Sequence, residues 1–359
     1  MGMDMGAEKH SICCLDGDGI SVELITSCVA VLDALRPHFS KPIDLSHHQV
    51  GFASLEQHGT TITETVIADA MESDGVILGP VSHADYPPIE QGGLNPSGVL
   101  RKALSLYANI RPARCYDGLD YYTRSPFDLV IMRENLEGFY ADRNMVVGSG
   151  EFMPTEGVAL AIRKITTEAS SNIARAAFEQ ACKRPKKKVT AVHKANVMRV
   201  SDGLFLDAVR NIAKEFTDID YDEMLVDSAA AMLVRAPQDF DVIVTTNMFG
   251  DILSDLASEL AGSLGLAGSL NKGTTTSMAQ AQHGSAPDIA GRDLANPVSI
   301  LLSVAMLLDD LGETTAAKHL DRELSTMLAS PASRTADLGG QLSCSGFTEH
   351  LIQRLKANP

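Results

Sequence analysis

Long apolar runs are missing from this 359-residue chain. No window approaches eighteen consecutive apolar residues, so no membrane-spanning helix is expected. Cysteine is sparse and unpatterned: Cys13, Cys14, Cys28, Cys115, Cys182 and Cys344 show no C-x-x-C spacing and mostly sit inside apolar runs, as buried thiols would. Neither a zinc site nor a disulfide framework is expected. Positive charge is also short. With 46 acids against 30 bases, the formal charge of −16 argues against a nucleic-acid or anionic-membrane surface. The one basic cluster, KRPKKK at 183–188, reads as a solvated turn. The start MGMDMGAEKH fits neither a signal nor a transit peptide, and Gly6 stands where myristoylation needs Ser or Thr. A cytoplasmic protein is expected. Two nucleotide fingerprints are absent as well: in GDGISV, Val22 occupies the third glycine position of G-x-G-x-x-G, and no G-x-x-x-x-G-K-[ST] occurs.

What is present is a chain with 45% hydrophobic residues, long enough for two domains or one large α/β unit. Short apolar runs (SICCL, GVILGPV, DLVIMREN, KKVTAVHKAN, FDVIVTTN) alternate with stretches of helical periodicity such as VELITSCVAVLDAL and GLFLDAVRNIAKEF. That alternation is the signature of βαβ units and a largely parallel sheet. Residues 140–166 differ: Gly148, Gly150, Pro154 and Gly157 punctuate β-prone pieces without helical periodicity, which predicts an antiparallel hairpin or arm.

The segment FGDILSDLASEL (249–260) poses the chemical question. On a helix Asp251, Asp255 and Glu259 stack on one face, with Ile252, Leu253, Leu256 and Leu260 as the apolar face. Like charges at i,i+4 repel, so stability alone does not select them. Asp251 and Asp255 follow an apolar strand, where ligands of open α/β sheets bind, and Asp227 falls at a similar strand-to-helix junction. Three carboxylates converging from two such junctions would make an all-oxygen site for Mg²⁺ or Mn²⁺. Arg101, Arg111 and Arg133 supply opposite charge, the last at the end of a buried strand where it must be partnered. Together they point to a substrate with several carboxylates and a hydroxyl. Lys194, placed at a strand end, could serve as a desolvated base, and Tyr140 could donate a proton; His193 reads as packing or turn. The loop HGSAPDIAGRDLANP (283–297) carries Asp288, which could take a pair of ribose hydroxyls.

These blocks, with VLRKALSLYANIRPAR, MRENLEGFY, HKANVMRVSDGLF, VDSAAAMLVRAPQDFDVIVTTNMFGDILSD and RTADLGG, resemble the isocitrate/3-isopropylmalate dehydrogenase family of metal-dependent β-decarboxylating dehydrogenases. The resemblance runs from about residue 12 to the end. It implies an α/β fold with a discontinuous large nucleotide-binding domain (1–107 and 262–359) and a small domain (108–261) whose arm forms an intersubunit sheet. It implies that Arg101, Arg111 and Arg133 hold malate carboxylates and that Asp251 and Asp255 bind metal. Lys194, Asn196 and Asp227 would come from the partner subunit of a homodimer, with Lys194 as base and Tyr140 as proton donor. The cofactor set it implies is Ile20, His283, Gly284, Ser285, Ala286, Pro287, Asp288, Ile289 and Asn296. Asp288 would welcome ribose hydroxyls and repel a 2′-phosphate, so NAD is the expected cofactor.

The sequence departs from the family pattern in two places. Ser21 and Val22 replace the usual Gly-Pro after GDGI, and SMAQAQ (277–282) stands where relatives commonly carry a Glu-Pro pair. The helix start before Arg101, which faces the variable 3-substituent in the family, reads Asn95-Pro96-Ser97-Gly98-Val99. Amide, hydroxyl and helix-terminal N–H groups suit a polar or anionic tail better than an isopropyl group. An isocitrate- or homoisocitrate-like acid is therefore the expected substrate, with 3-isopropylmalate and tartrate or D-malate as alternatives. A catalytically silent regulatory subunit is the non-enzymatic alternative.

Overall fold

The computed structural model describes residues 9–140, 145 and 148–357. Residues 141–144, 146 and 147 of the expected arm lie outside them. The chain divides into two compact units, 1–104 with 116–119 and 264–359, and 105–115 with 120–263.

The first unit opens with β1 (His10–Asp16), α1 (Ser21–Leu35) and β2 (Ile43–Gln49), then α2 (Phe52–His58), α3 (Glu64–Glu72), β3 (Gly75–Leu78) and α4 (Pro96–Ala103). Leu24, Ile25, Cys28, Val31, Leu32 and Leu35 recur every three or four residues along α1, and all are buried. Thr63 caps α3 by accepting from the Val66 N–H, and Asn95 caps α4 by accepting from Gly98, with Pro96 at the first helical position.

The second unit contains β4 (Ala108–Arg114), β5 (Asp128–Glu134), β6 (Glu151–Thr155), β7 (Val158–Ala161), α5 (Thr167–Cys182), β8 (Lys188–His193), α6 (Ser201–Ala213), β9 (Asp220–Leu225), α7 (Val226–Arg235), β10 (Val242–Thr245) and α8 (Asn247–Leu260). Its main strands run in the order β4-β5-β10-β8-β9, parallel except for the antiparallel β4–β5 pair. Side-chain alternation gives this sheet two apolar faces. Val130, Met132, Val189, Ala191, Val242 and Val244 pack under α5 and α6. Leu129, Ile131, Val192 and Ile243 pack under α7 and α8. Arg133 and Arg111 share the parity of that second face, so period two alone aims both at α8. β6 and β7 form a separate antiparallel hairpin with every residue exposed, as the sequence predicts.

The chain then returns to the first unit with β11 (Leu270–Lys272), β12 (Ser277–Gln280), α9 (Val298–Asp310), α10 (Thr314–Leu328) and α11 (Cys344–Ala357). Here the strand order is β2-β1-β3-β12-β11, parallel except for β11–β12. The molecule is thus a mixed α/β fold in which the expected parallel sheets carry two antiparallel joins.

One expectation is corrected. The basic cluster is not simply solvated: Arg184 donates at 2.6 Å to the buried Asp241 carboxylate and at 2.9 Å to Asp128, and Lys186 donates to the Gln238 and Phe240 carbonyls. Those acceptors sit at the start of the second unit's sheet, and burying Asp241 requires a charged partner. The thiols mostly follow expectation: Cys13, Cys14, Cys28 and Cys344 are buried, Cys115 is partly buried and Cys182 alone among them is exposed, at the end of α5.

Candidate active site

In the second unit, five expected residues meet. Arg133 leaves β5 with its side chain 2% exposed and is gripped on every nitrogen. Nε donates to Asn247 Oδ1 at 2.9 Å, Nη2 to the Tyr140 hydroxyl at 2.6 Å, and Nη1 to Asp251. Arg111, on neighbouring β4, donates from Nε to Asn109 Oδ1 at 2.5 Å and from Nη1 to Ser254 Oγ at 2.7 Å and Asp255 Oδ1 at 3.1 Å; Asp251 Oδ1 lies 3.2 Å away. Tyr140 in turn donates to Asp251 Oδ2 at 3.1 Å. The question raised by the stacked acids is therefore answered within the chain: two guanidinium groups from the sheet offset the repulsion between Asp251 and Asp255. Burial pushes the Arg111 guanidinium down to about 10, with Arg133 adding to the shift and the two carboxylates opposing it, so it is cationic at neutral pH.

Gly250 makes this contact possible, because a Cβ there would lie 2.7 Å from the Arg133 Cβ and Cγ. The helix face also differs from expectation. Leu253 and Leu260 are buried, but Ile252 is 61% exposed, and Ser254, Ala257 and Ser258 complete the buried stripe. Small residues there let α8 approach the sheet closely enough for the arginines to reach its acids.

Asp227, at the start of α7, is not part of that group. Among the described residues of one chain, the sets of three donors close enough to share an ion lie elsewhere, and Asp227 instead pairs with Lys194 Nζ at 2.5 Å. The expected convergence of three carboxylates therefore does not occur within one chain. Lys194 donating to Asp227 holds that exposed carboxylate below its usual range. The lysine is not in the apolar surroundings expected of a desolvated base, since its partner is a charged, solvent-facing acid. Its turn is anchored by a network that sequence reasoning missed. Buried Asp202 accepts from the Lys194 N–H at 2.5 Å and from Arg163 at 2.6 Å, while Arg163 also reaches Ser201 and Thr246. Asn196 is exposed on the same turn. His193 Nδ1 accepts from the Ala195 N–H at 3.1 Å, the turn role expected of it.

In the first unit, the polar start of α4 faces β12. Ser97 Oγ and Arg101 Nη2 both donate to Gln280 Oε1, at 3.0 and 3.4 Å. Gln280 falls within the stretch that departs from the family pattern, and sequence reasoning gave it no role. The GDGI turn and the 283–297 loop are joined in the same unit. The Ile20 N–H donates to the Ser285 carbonyl at 2.9 Å, and a Cβ on Gly19 would lie 2.0 Å from that oxygen. Gly17 and Gly19 thus serve close backbone approach. Asp18 between them, also missed, accepts from the Phe52 and Ser82 N–H groups at 2.8 Å and from the Tyr86 hydroxyl. His283 Nδ1 lies 3.0 Å from the Gly284 carbonyl, Ala286 adopts a left-handed φ of +38°, and Asn296 donates to Asp337 at 2.9 Å. Gly284, Pro287 and Asp288 are exposed, while Ile289 is half-buried.

Comparison with known proteins agrees with these motifs. Residues 11–351 match the family model described as isocitrate/isopropylmalate dehydrogenase. The chain belongs to that family. Membership in this dehydrogenase family makes it an oxidoreductase. Similar relatives include the isocitrate/homoisocitrate dehydrogenase of Thermus thermophilus, 40% identical over 97% of this chain and 99% of the relative. The 3-isopropylmalate dehydrogenase of Archaeoglobus fulgidus is 38% identical over 95% and 98%. A solved isocitrate dehydrogenase from Methylococcus capsulatus superposes with a TM-score of 0.87 at 36% identity, covering 97% of this chain and 99% of that one. Among the described residues no helix is long and apolar enough to cross a membrane.

Proposed function

We propose that this dehydrogenase oxidatively decarboxylates a 3-substituted malate with NAD⁺ and a divalent cation, and that the substrate is isocitrate- or homoisocitrate-like. The observation carrying this reading is the pair of buried guanidinium groups, Arg111 and Arg133, held by Asn109, Asn247 and Ser254 beside Tyr140 and two adjacent carboxylates. Preorganised forks of this kind suit carboxylate recognition, and a hydroxyl already hydrogen-bonded to one of them suits proton delivery to a neighbouring atom.

The donors fit Mg²⁺ or Mn²⁺. Asp251 and Asp255 offer hard oxygens from successive turns, and their side chains are 40% and 51% exposed, which leaves a face of each open to a cation. When bound, such an ion supplies Lewis acidity to a hydroxyl and its adjacent carboxylate. Asp227 and Lys194, already paired, are read as the partner's contribution in a homodimer, with Lys194 taking the hydroxyl proton and Asn196 assisting substrate binding. Tyr140 then protonates the carbon that loses CO₂. The exposed Asp288 supports NAD⁺ over NADP⁺ by repelling a 2′-phosphate, and Ile20, His283 to Ile289 and Asn296 are assigned to nucleotide binding. Asn95, Ser97 and Arg101 support a polar substrate tail, because Ser97 and Arg101 meet at the Gln280 amide oxygen, a polar cluster where a branched alkyl group would need apolar lining.

The test is a panel of isocitrate, homoisocitrate, 3-isopropylmalate, D-malate and tartrate, each with Mg²⁺ or Mn²⁺ and with NAD⁺ or NADP⁺, followed by reduced-cofactor absorbance. The tricarboxylic acids with NAD⁺ should give the highest kcat/KM, and Asp251→Asn should lower it by about a hundredfold or more. A preference for 3-isopropylmalate would overturn the substrate reading, and equal or better use of NADP⁺ the cofactor reading. No turnover of any of these acids, with stimulation of another dehydrogenase, would favour the regulatory subunit.

A further inference from the structure

A second cluster of donors lies in the first unit, on residues given no role in the site above. β1 and β2 pair in parallel with Cys13 opposite Ser46 and Leu15 opposite His48, so Cys13, Ser46 and His48 project from one face of the sheet. Asp69 reaches the same face from α3. Its Oδ2 accepts from Ser46 Oγ at 2.6 Å and lies 2.9 Å from His48 Nε2. The Cys13 Sγ, an imidazole nitrogen of His48 and a carboxylate oxygen of Asp69 all lie within 4.8 Å of one another.

We propose that Cys13, His48 and Asp69 form a binding site for a Zn²⁺-class cation, separate from the carboxylate pair assigned to Mg²⁺ or Mn²⁺. The donor set is the first argument. Thiolate, imidazole and carboxylate are the three protein ligand types of zinc, whereas Mg²⁺ and Mn²⁺ favour oxygen. Geometry is the second. Bonds of about 2.0–2.3 Å at tetrahedral angles place neighbouring ligand atoms about 3.3–3.7 Å apart. The His48–Asp69 pair at 2.9 Å needs to open by only a few tenths of an ångström to admit the ion. Access is the third. Cys13 is fully buried at the floor, while the His48 and Asp69 side chains are 28% and 36% exposed, so a fourth position faces water. Ser46 completes the arrangement by fixing the carboxylate that would bind. Binding exchanges the Cys13 thiol proton for the metal and releases it to solvent. The spacing in sequence, 13, 48 and 69, explains why no zinc motif was legible: three separate elements supply one donor each.

The test is titration of the purified full-length protein with Co²⁺, reading the near-ultraviolet thiolate-to-cobalt charge-transfer absorption. The expected result is one equivalent of band, displaced by Zn²⁺ and unaffected by excess Mg²⁺. The exposed-side variants His48→Gln and Asp69→Asn should each weaken Co²⁺ binding by tenfold or more, and Ser46→Ala by about tenfold. Cys13→Ser should abolish the band; because that residue is buried, the His48 and Asp69 variants keep the test decisive if it does not fold. Absence of the band overturns the proposal. So does a band that survives His48→Gln and Asp69→Asn but disappears in Cys344→Ser, which would place the metal on Glu23, Asp293 and Cys344 instead. The readout is independent of turnover, so it stands or falls apart from the proposed activity.

Discussion

Arg133 shows how far single residues can be read. An arginine ending an apolar strand must be partnered, and that inference needed only the sequence; which face it takes follows from strand parity once β5 is placed in its sheet. Its partners were another matter. Asn109, Asn247 and Ser254 are common residue types with no local pattern to mark them, and they become fork-holding groups only when β4, β5 and α8 are brought together. The surroundings of Lys194 were not legible either, because a strand-end lysine looks the same in sequence whether it ends in an apolar pocket or against Asp227. Gly250 is the most exposed to test. Adding a methyl there meets the root of the Arg133 side chain rather than its mobile end. Gly250→Ala should cost about 1–3 kcal/mol of stability through overpacking. Displacing the guanidinium by a fraction of an ångström or more should lower kcat/KM with the preferred acid by about a hundredfold. Thermal melts alongside steady-state kinetics check both, and a variant with unchanged kinetics would show that Arg133 needs no fixed position.

At the scale of elements, apolar runs and helical periodicity located β1, β3, β5, β8 and β10 and the helices α1, α6 and α8, since burial on one or two faces is what writes that pattern. Strand direction was not legible. β4 and β11 carry the same apolar signal whether their neighbours run parallel or antiparallel, and the connection decides. Nor did periodicity reveal the tie between the start of α10 and the segment before β2. Buried Glu313 accepts from the Ser40 N–H at 2.6 Å, the Ser40 hydroxyl at 2.7 Å and the Lys41 N–H at 2.9 Å. Burial alone would raise the Glu313 carboxyl, but these donors outweigh it and hold the group below its ordinary value. The folded state therefore binds this proton less readily than the unfolded chain, so the stabilisation is present above the ordinary glutamate range and is lost as pH falls through and below it. Melting temperatures between pH 7 and 3.5 should drop less steeply for Glu313→Gln than for wild type, and Glu313→Ala should cost about 2–3 kcal/mol at pH 7. Parallel curves for Glu313→Gln and wild type would remove Glu313 from the acid response. The β6–β7 hairpin makes a different demand. Two strands alone are marginally stable, and Phe152, Met153, Val158 and Leu160 are exposed on it, so it should be covered by another copy.

For the whole molecule, the proposed homodimer makes a sharp numerical expectation. Asp227→Asn and Asp251→Asn homodimers should each be nearly inactive. Unfolded, mixed in equal amounts and refolded together, they should recover about a quarter of wild-type activity, because half the dimers are mixed and each mixed dimer has one intact site. Recovery near zero would mean that both acids serve the site of a single chain. Assembly also depends on how the chain is threaded through its units. β3 is hydrogen-bonded along Gly75–Leu78 to Ser277–Gln280, and the second unit is inserted between those partners. On a ribosome adding about 5–20 residues each second, roughly two hundred residues pass between them, leaving one edge of β3 without that neighbour for on the order of ten to forty seconds. During synthesis the second unit can close while the first still waits, and that interval is when a nascent chain most needs chaperone cover.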